Sequence, residues 1–316
     1  MEFTSRKSLI EPITEYRQKK LSGEKISAYI YVFIPLLGYL FFTIFPLVIS
    51  FIIQFCSMDY YDLSTLQWNN FENFKVVFSD PDFYLSIGVS FTLMTSQFIS
   101  LLIALFISVL LSKKTFGHKF FQIIYFIPYI CSSVAVALMW KYMFEPTYGI
   151  INSILVDIFG ESSRVEWWTN TSAYPWMIII ATVWQAPGYG IVMYKAALNA
   201  VNPSLYEAAD VAGAGPFRKF FHITLPSIAP TTFFLLLAGI INGLQIFDLA
   251  KLFGDGNWQG LYGPDNVGLS TVLYIFNVGN ENNNMPVASV MSWALFVIIF
   301  IVSFVNFKLR RKWVDE

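Results

Sequence analysis

Charge is scarce in this chain. Asp, Glu, Lys and Arg make up 13% of its 316 residues, against about 25% in an ordinary globular domain. Twenty Lys and Arg stand against twenty-one Asp and Glu, so no global basic field exists to hold nucleic acid. There are two cysteines, Cys56 at the edge of one apolar run and Cys131 inside another, too few for a disulfide framework or a CxxC metal site. The two histidines, His118 and His222, lie close to Lys or Arg in short polar segments, which is poor support for a His-based metal or acid-base centre. Apolar residues are abundant instead: 56% of the chain is hydrophobic and the mean hydropathy is +0.56. At about 150 residues per domain the length suggests two soluble domains. A soluble fold cannot hide that much apolar surface, so the composition reads as a membrane protein.

A hydrocarbon core about 30 Å thick needs roughly 20 apolar residues in a helix, and six runs meet that requirement: 29–55, 87–111, 120–143, 174–195, 227–250 and 286–307. The fold class expected is therefore all-α, a polytopic helical bundle with six transmembrane helices in lipid. The second run holds Ser and Thr but no charge, Ala186, Pro187 and Gly188 interrupt the fourth, and the fifth carries one acid, Asp248. Six spans put both termini on one side, and Lys and Arg mark it as the cytoplasm. On that side are Arg6, Lys7, Arg17, Lys19, Lys20, Lys25, Lys113, Lys114, Lys119, Lys195, Arg218, Lys219, Lys308, Arg310, Arg311 and Lys312; the opposite side has Lys75, Lys141, Arg164 and Lys251. The division is a cytoplasmic segment 1–28, a membrane domain 29–310 and a cytoplasmic tail 311–316. The first 25 residues contain no apolar h-region, so the first span reads as a retained anchor rather than a cleaved signal.

The outer loops, rich in Asn, Asp, Gly and aromatics, read as folded caps. Trp167, Trp168 and Trp176 flank the fourth span as an interfacial belt does. Between Gly254 and Asn284 the many Gly and Asn indicate loop around a short apolar stretch, Leu269 to Phe276, placed at the membrane edge. Asp255 and Asp265 in that loop are not at the spacing of an EF-hand. No internal or inverted repeat is visible.

The informative loop is cytoplasmic and runs from Asn199 to Pro226. Asn202 followed by Pro203 is an N-cap and first-turn pair, and Gly213 suits the residue just past a C-terminus, so 203–212 is expected to be a helix about 15 Å long. Gly215 and Pro216 start a second short helix. Ala208, Ala209 and Ala212 let the backbone approach a partner closely, Leu205 and Tyr206 supply apolar anchors, and Glu207 supplies one charge. Such a helix reads as a docking knob. A plain connector is the alternative, since Ala is the best helix former.

At these residues the chain resembles a known family. Glu207 Ala208 Ala209, then Gly213, then Ile223 Thr224 Leu225 Pro226 resembles the EAA motif of ABC importer permeases, and the resemblance extends over roughly residues 30 to 310 to the carbohydrate branch, the maltose-type and glycerol-3-phosphate-type first permease subunit. Supporting stretches are Pro35 Leu36 Leu37 Gly38, Asn70 Phe71 Glu72 Asn73 Phe74, Phe126 Ile127 Pro128, Met139 to Phe144 and Tyr148 to Asn152. The chain departs from the pattern in two places. Ala212 stands where many relatives have an acid, and the loop after Phe253 is longer than the short Gly-rich turn often found there.

The resemblance implies a permease subunit in the bacterial cytoplasmic membrane that hydrolyses nothing. Its partners would be a second homologous permease, a cytoplasmic ATPase dimer that carries the ATP and Mg, and an extracellular or periplasmic sugar-binding protein. The chain itself would hold no cofactor. Consistent with that, it has no GxxxxGK[ST] phosphate loop. The coupling loop is 199–226, with Leu205, Tyr206, Glu207, Ala208, Ala209, Gly213 and Arg218 as the expected contact; Arg218 and Lys219 read equally as pairing with acids of the ATPase or as positive-inside markers.

Polar groups inside a span are costly and so are functional candidates. Asn242, Gln245 and Asp248, at i, i+3 and i+6 beside Gly239 and Gly243, make a polar stripe in the fifth span; Gln185 and Tyr189 flank the interruption in the fourth. These line a substrate path or, alternatively, glue helices together. Neutral amides and aromatics with no mid-span Arg or Lys suit a neutral oligosaccharide. An ATP-independent secondary transporter or channel is the rival reading, but it would have no use for the EAA knob. An integral-membrane enzyme would need converging His, Asp, Glu or Cys groups that these spans lack.

Overall fold

The computed structural model describes residues 29–59, 61–112, 118–254 and 262–314, with the side chains of 118–119 and 309–314 left out. The segment 1–28, Lys113, Lys114, Asp255 and the last two residues lie outside this description. Among the described residues five helices are long and apolar enough to cross a membrane, and a pair of helices bent through 96° passes the same test taken together.

The first span, α1 (Tyr29–Ile53), passes through a π-helical turn, Leu40–Ile44, just before Pro46. A hairpin follows, in which β1 (Cys56–Ser57) pairs antiparallel with β2 (Gln67–Trp68). Next comes α2 (Glu72–Ser79), whose buried Asn73 amide donates to the carbonyls of Gln54 at 3.0 Å and Cys56 at 2.8 Å. These bonds tie the C-terminal end of α1 to α2.

The long helix α3 (Pro81–Ser112) is the axis of the bundle. Ser86, Ser90, Ser96, Ser100, Ala104 and Ser108 are all buried on it, and the hydroxyls of Ser86, Ser96, Ser100 and Ser108 turn back onto carbonyls of the same helix. A face of small, self-satisfied side chains lets neighbouring backbones approach, which is how helices associate where lipid removes the hydrophobic drive. A Cβ on Gly190 would come within 2.8 Å of the Ala104 Cβ, and one on Gly243 within 2.6 Å of Met94 Cγ.

The third expected span, 120–143, is not one straight helix. It forms α4 (His118–Ile130) and α5 (Ser133–Met143), with the chain extended at Ser132 (φ −59°, ψ 132°). Pro128 removes a donor inside α4, and the Gln185 amide takes up the Cys131 carbonyl at the break, at 3.2 Å.

In the cap after α5, α6 (Ile150–Phe159) is held by buried Asn152. Its amide nitrogen donates to Pro146 and Val165 carbonyls at 2.9 Å, and its oxygen accepts from Val165 N and Trp167 Nε1. Of the three tryptophans flanking the fourth span, half-buried Trp167 and Trp168 pack on Phe144 (4.9 Å between centroids) and Phe253 (6.0 Å), and Trp176 is exposed.

The fourth span is α7 (Tyr174–Gln185) followed by α8 (Pro187–Ala200). The expected interruption is a junction within one continuous span, Tyr174–Ala200, because Ala186 keeps helical angles and donates to Thr182 O at 2.8 Å. Then come α9 (Pro203–Val211) and α10 (Pro216–Lys219), the latter running through a π turn, Phe220–Thr224, into Leu225–Ser227.

The fifth span is α11 (Ala229–Leu244) and α12 (Asp248–Gly254). The expected stripe of Asn242, Gln245 and Asp248 is therefore not on one helix: Gln245 leaves helical geometry (φ −111°, ψ 19°), and Ser270 Oγ captures the Ile246 carbonyl at 2.5 Å.

The apolar stretch 269–276 is likewise internal. It forms α13 (Thr271–Phe276), with Thr271 N donating to Ser90 Oγ at 2.8 Å, and leads to α14 (Met285–Val314). Within α13, the Tyr274 hydroxyl donates to Asp80; burial first, and then this carboxylate, push the phenol above its usual range.

Candidate functional site

Two places among the described residues offer surface to another molecule. The first is an open cavity of about 740 Å³ lined by α3, α4, α7, α8 and α11 and by the residues at the α4–α5 break. Its polar lining consists of Gln97, Ser100, Tyr129, Cys131, Ser133, Thr182, Gln185, Tyr189 and Asn242, and among the described residues no charged side chain lines it. Tyr129 and Tyr189 stack with centroids 5.9 Å apart and planes at 27°, presenting aromatic surface beside amides and hydroxyls. Close packing shapes the wall: a Cβ on Gly188 would meet Tyr129 Cβ at 2.7 Å. Lys195, on the same span, is turned away to Gln122 and is not part of the lining.

Of the residues singled out from the sequence for a substrate path, Gln185, Tyr189 and Asn242 share this cavity. Gly243 is buried against Met94, while Gln245 and Asp248 are exposed beyond the helix break; none of these three lines the cavity. Gln97, Ser100, Tyr129, Ser133 and Thr182 were not singled out. For the α3 residues a signal existed, since Ser96, Ser100, Ala104 and Ser108 recur every fourth residue on one helical face. Tyr129 and Ser133 had none, because only the bend between α4 and α5 turns them together.

The second place is α9. The Asn202 side chain accepts from Ser204 N at 3.0 Å, and Gly213 closes the helix with φ +74°. None of the nine residues of α9 is buried. Leu205, Glu207, Ala208 and Val211 are exposed, and Tyr206 and Ala209 are half-buried. Beyond it, Phe217 and Arg218 are exposed. Exposed apolar groups on a short helix, standing off the end of a membrane bundle, make a surface suited to a protein partner.

Apolar spans around an uncharged cavity, with a bare helix projecting from one end, describe a membrane transporter subunit with an outside contact to make. Comparison with known proteins makes this specific. Residues 98–314 match the family described as "Binding-protein-dependent transport system inner membrane component". The chain is 31% identical over 302 residues to "Probable ABC transporter permease protein YesP" of Bacillus subtilis (strain 168), covering 94% of each. It is 28% identical to "Arabinooligosaccharides transport system permease protein AraP" of the same organism, over 93% of this chain and 91% of the relative. Its fold resembles a chain of the "Crystal structure of a bacterial ABC transporter involved in the import of the acidic polysaccharide alginate", with a TM-score of 0.75 at 23% identity, covering 94% of this chain and 99% of that one.

The chain belongs to the family of binding-protein-dependent transport system inner membrane components. It is a multi-pass permease subunit of an ABC importer in the cytoplasmic membrane, not an enzyme.

Proposed function

We propose that the chain is one half of a sugar importer whose cargo is a neutral oligosaccharide, handed over by an extracellular or periplasmic binding protein and passed through a path completed by a second, homologous permease. The observation that carries this reading is the cavity lining: amides, hydroxyls and a stacked tyrosine pair, without a single charge. Polyhydroxylated solutes are recognised by such groups, and an anionic cargo would call for a cation, because a buried unpaired charge is costly. The arabinooligosaccharide permease named above supports the same class of cargo.

The energy source in this reading is a separate cytoplasmic ATPase dimer, with ATP and Mg bound there. Its contact surface is α9, with Leu205, Glu207, Ala208, Ala209, Gly213 and Arg218 as the core of the contact, while half-buried Tyr206 packs back on the bundle. Both termini and α9 lie in the cytoplasm, which the distribution of Lys and Arg supports.

Uptake of a panel of neutral and acidic oligosaccharides by the assembled transporter, with Gln185→Ala, Asn242→Ala and Gln245→Ala, tests the cargo. The expected result is uptake of neutral members only, weakened by the first two substitutions and untouched by the third. Preference for acidic members, or equal behaviour of all three variants, would refute it.

A further inference from the structure

The contact between α9 and the rest of the bundle is narrow. Among the described residues, one side-chain hydrogen bond and one ion pair join it to the segment leading into α11. The Tyr206 hydroxyl and Thr224 Oγ1 are 2.9 Å apart, and Lys219 pairs with Asp210. The covalent link is compliant, because Gly213 and Gly215 flank Ala214 and glycine resists bending little. The ion pair lies at the surface, with the Asp210 side chain 64% exposed, so it is weak and screened by salt. Tyr206 differs from both. It packs with Ile223 on the buried cluster of Ile107, Tyr194, Ile228 and their neighbours, and Thr224 is itself buried.

From Thr224 the chain is hydrogen-bonded into the bundle. Ile228 N donates to Thr224 O at 3.1 Å and Thr232 N to Ile228 O at 2.9 Å. These bonds join the Thr224 turn, across a bend at Ile228 (φ −95°, ψ 2°), to the 16-residue helix α11, about 24 Å long, and α11 carries Leu235, Gly239 and Asn242 into the cavity wall.

We infer that the Tyr206–Thr224 hydrogen bond is the joint through which displacement of α9 reaches α11 and the cavity, so that Tyr206 and Thr224 are positioning residues of coupling. The inference rests on the reading of α9 as the ATPase contact. A push delivered to the exposed face of α9, Leu205, Glu207, Ala208 and Val211, meets the bundle at Tyr206. Without the bond, α9 pivots on its glycines and α11 stays still.

Native Cys131 lines the cavity and is a free thiol, so it reports the cavity without knowledge of the cargo. The experiment uses the assembled transporter carrying Cys56→Ser and follows the rate at which a water-soluble methanethiosulfonate labels Cys131, with and without ATP and vanadate. Tyr206→Phe and Thr224→Val each remove one hydroxyl and keep the shape. Either is expected to shrink the nucleotide-dependent change in labelling by about threefold to tenfold, the factor carried by one hydrogen bond of ordinary strength. The double variant should lose no more than either single one, Thr224→Ser should restore the change, and the ATPase should co-purify with every variant.

A full-sized change in either single variant, or additive losses in the double one, overturns the joint. Loss of the ATPase from Tyr206→Phe also overturns it, by assigning Tyr206 to the docking face, and leaves the docking reading intact. A parent complex whose labelling ignores nucleotide, with Glu207→Lys still retaining the ATPase, refutes the docking reading and the joint together.

Discussion

The two ends of α11 meet different surroundings. Toward its C-terminal end Gly243 is pressed on Met94 so closely that it has no room for a Cβ. At its N-terminal end the chain leads back to α9, where no residue is buried and Leu205 and Val211 stand exposed. Contacts of the first kind are completed by the chain's own sequence. Those of the second kind, in the function proposed above, are completed by another polypeptide. Substitutions at the Gly243 end should therefore change the stability of the bundle, and substitutions in α9 should change what the bundle is told to do.

The largest effect that separates the two regions belongs to Gly213. Its φ of +74° is closed to proline, whose ring holds φ near −65°. Gly213→Pro should abolish uptake while the chain remains in the membrane with an unaltered unfolding midpoint, and Glu207→Lys should act in the same direction. Normal uptake in both, measured in vesicles, would erase the distinction. A smaller effect of the opposite kind is expected for Gly243→Val. An isopropyl group forced on Met94 should cost about 1–3 kcal/mol, read as a lower midpoint of thermal unfolding in detergent with ATPase co-purification retained. The smallest effect tests whether α9 behaves as a local unit. Asn202→Ala removes the cap to Ser204 N and should cost about 1 kcal/mol, seen as faster hydrogen exchange across 203–211 and no shift in the midpoint of the bundle.

Much of α9 was legible in the sequence, because Asn202, Pro203 and Gly213 act through their own backbone neighbours, and the helix ends within a residue of the expected place. The apolar spans were legible for a similar reason, since length and hydropathy need no tertiary partner. The breaks were not. The chain leaves helical geometry between α4 and α5, and whether it bends there depends on what receives the backbone groups the break frees; the Cys131 carbonyl goes to Gln185, 54 positions away. The end of α11 depends in the same way on Ser270, 24 positions on. For the same reason only half of the expected substrate path holds together as one site: Gln185, Tyr189 and Asn242 face one cavity, and the rest of the stripe lies past a break that only the folded neighbour creates. The small-residue face of α3 was written openly at Ser96, Ser100, Ala104 and Ser108, but a hydropathy window averages over faces and does not register it.

The account turns on what α9 touches. A photo-crosslinking amino acid placed at Ala208, which is exposed on α9, would report this directly in native membranes carrying the full transporter. The account predicts a single dominant adduct with the ATPase subunit, lost when Glu207→Lys is added. Adducts only with lipid, or only within the chain itself, would contradict it.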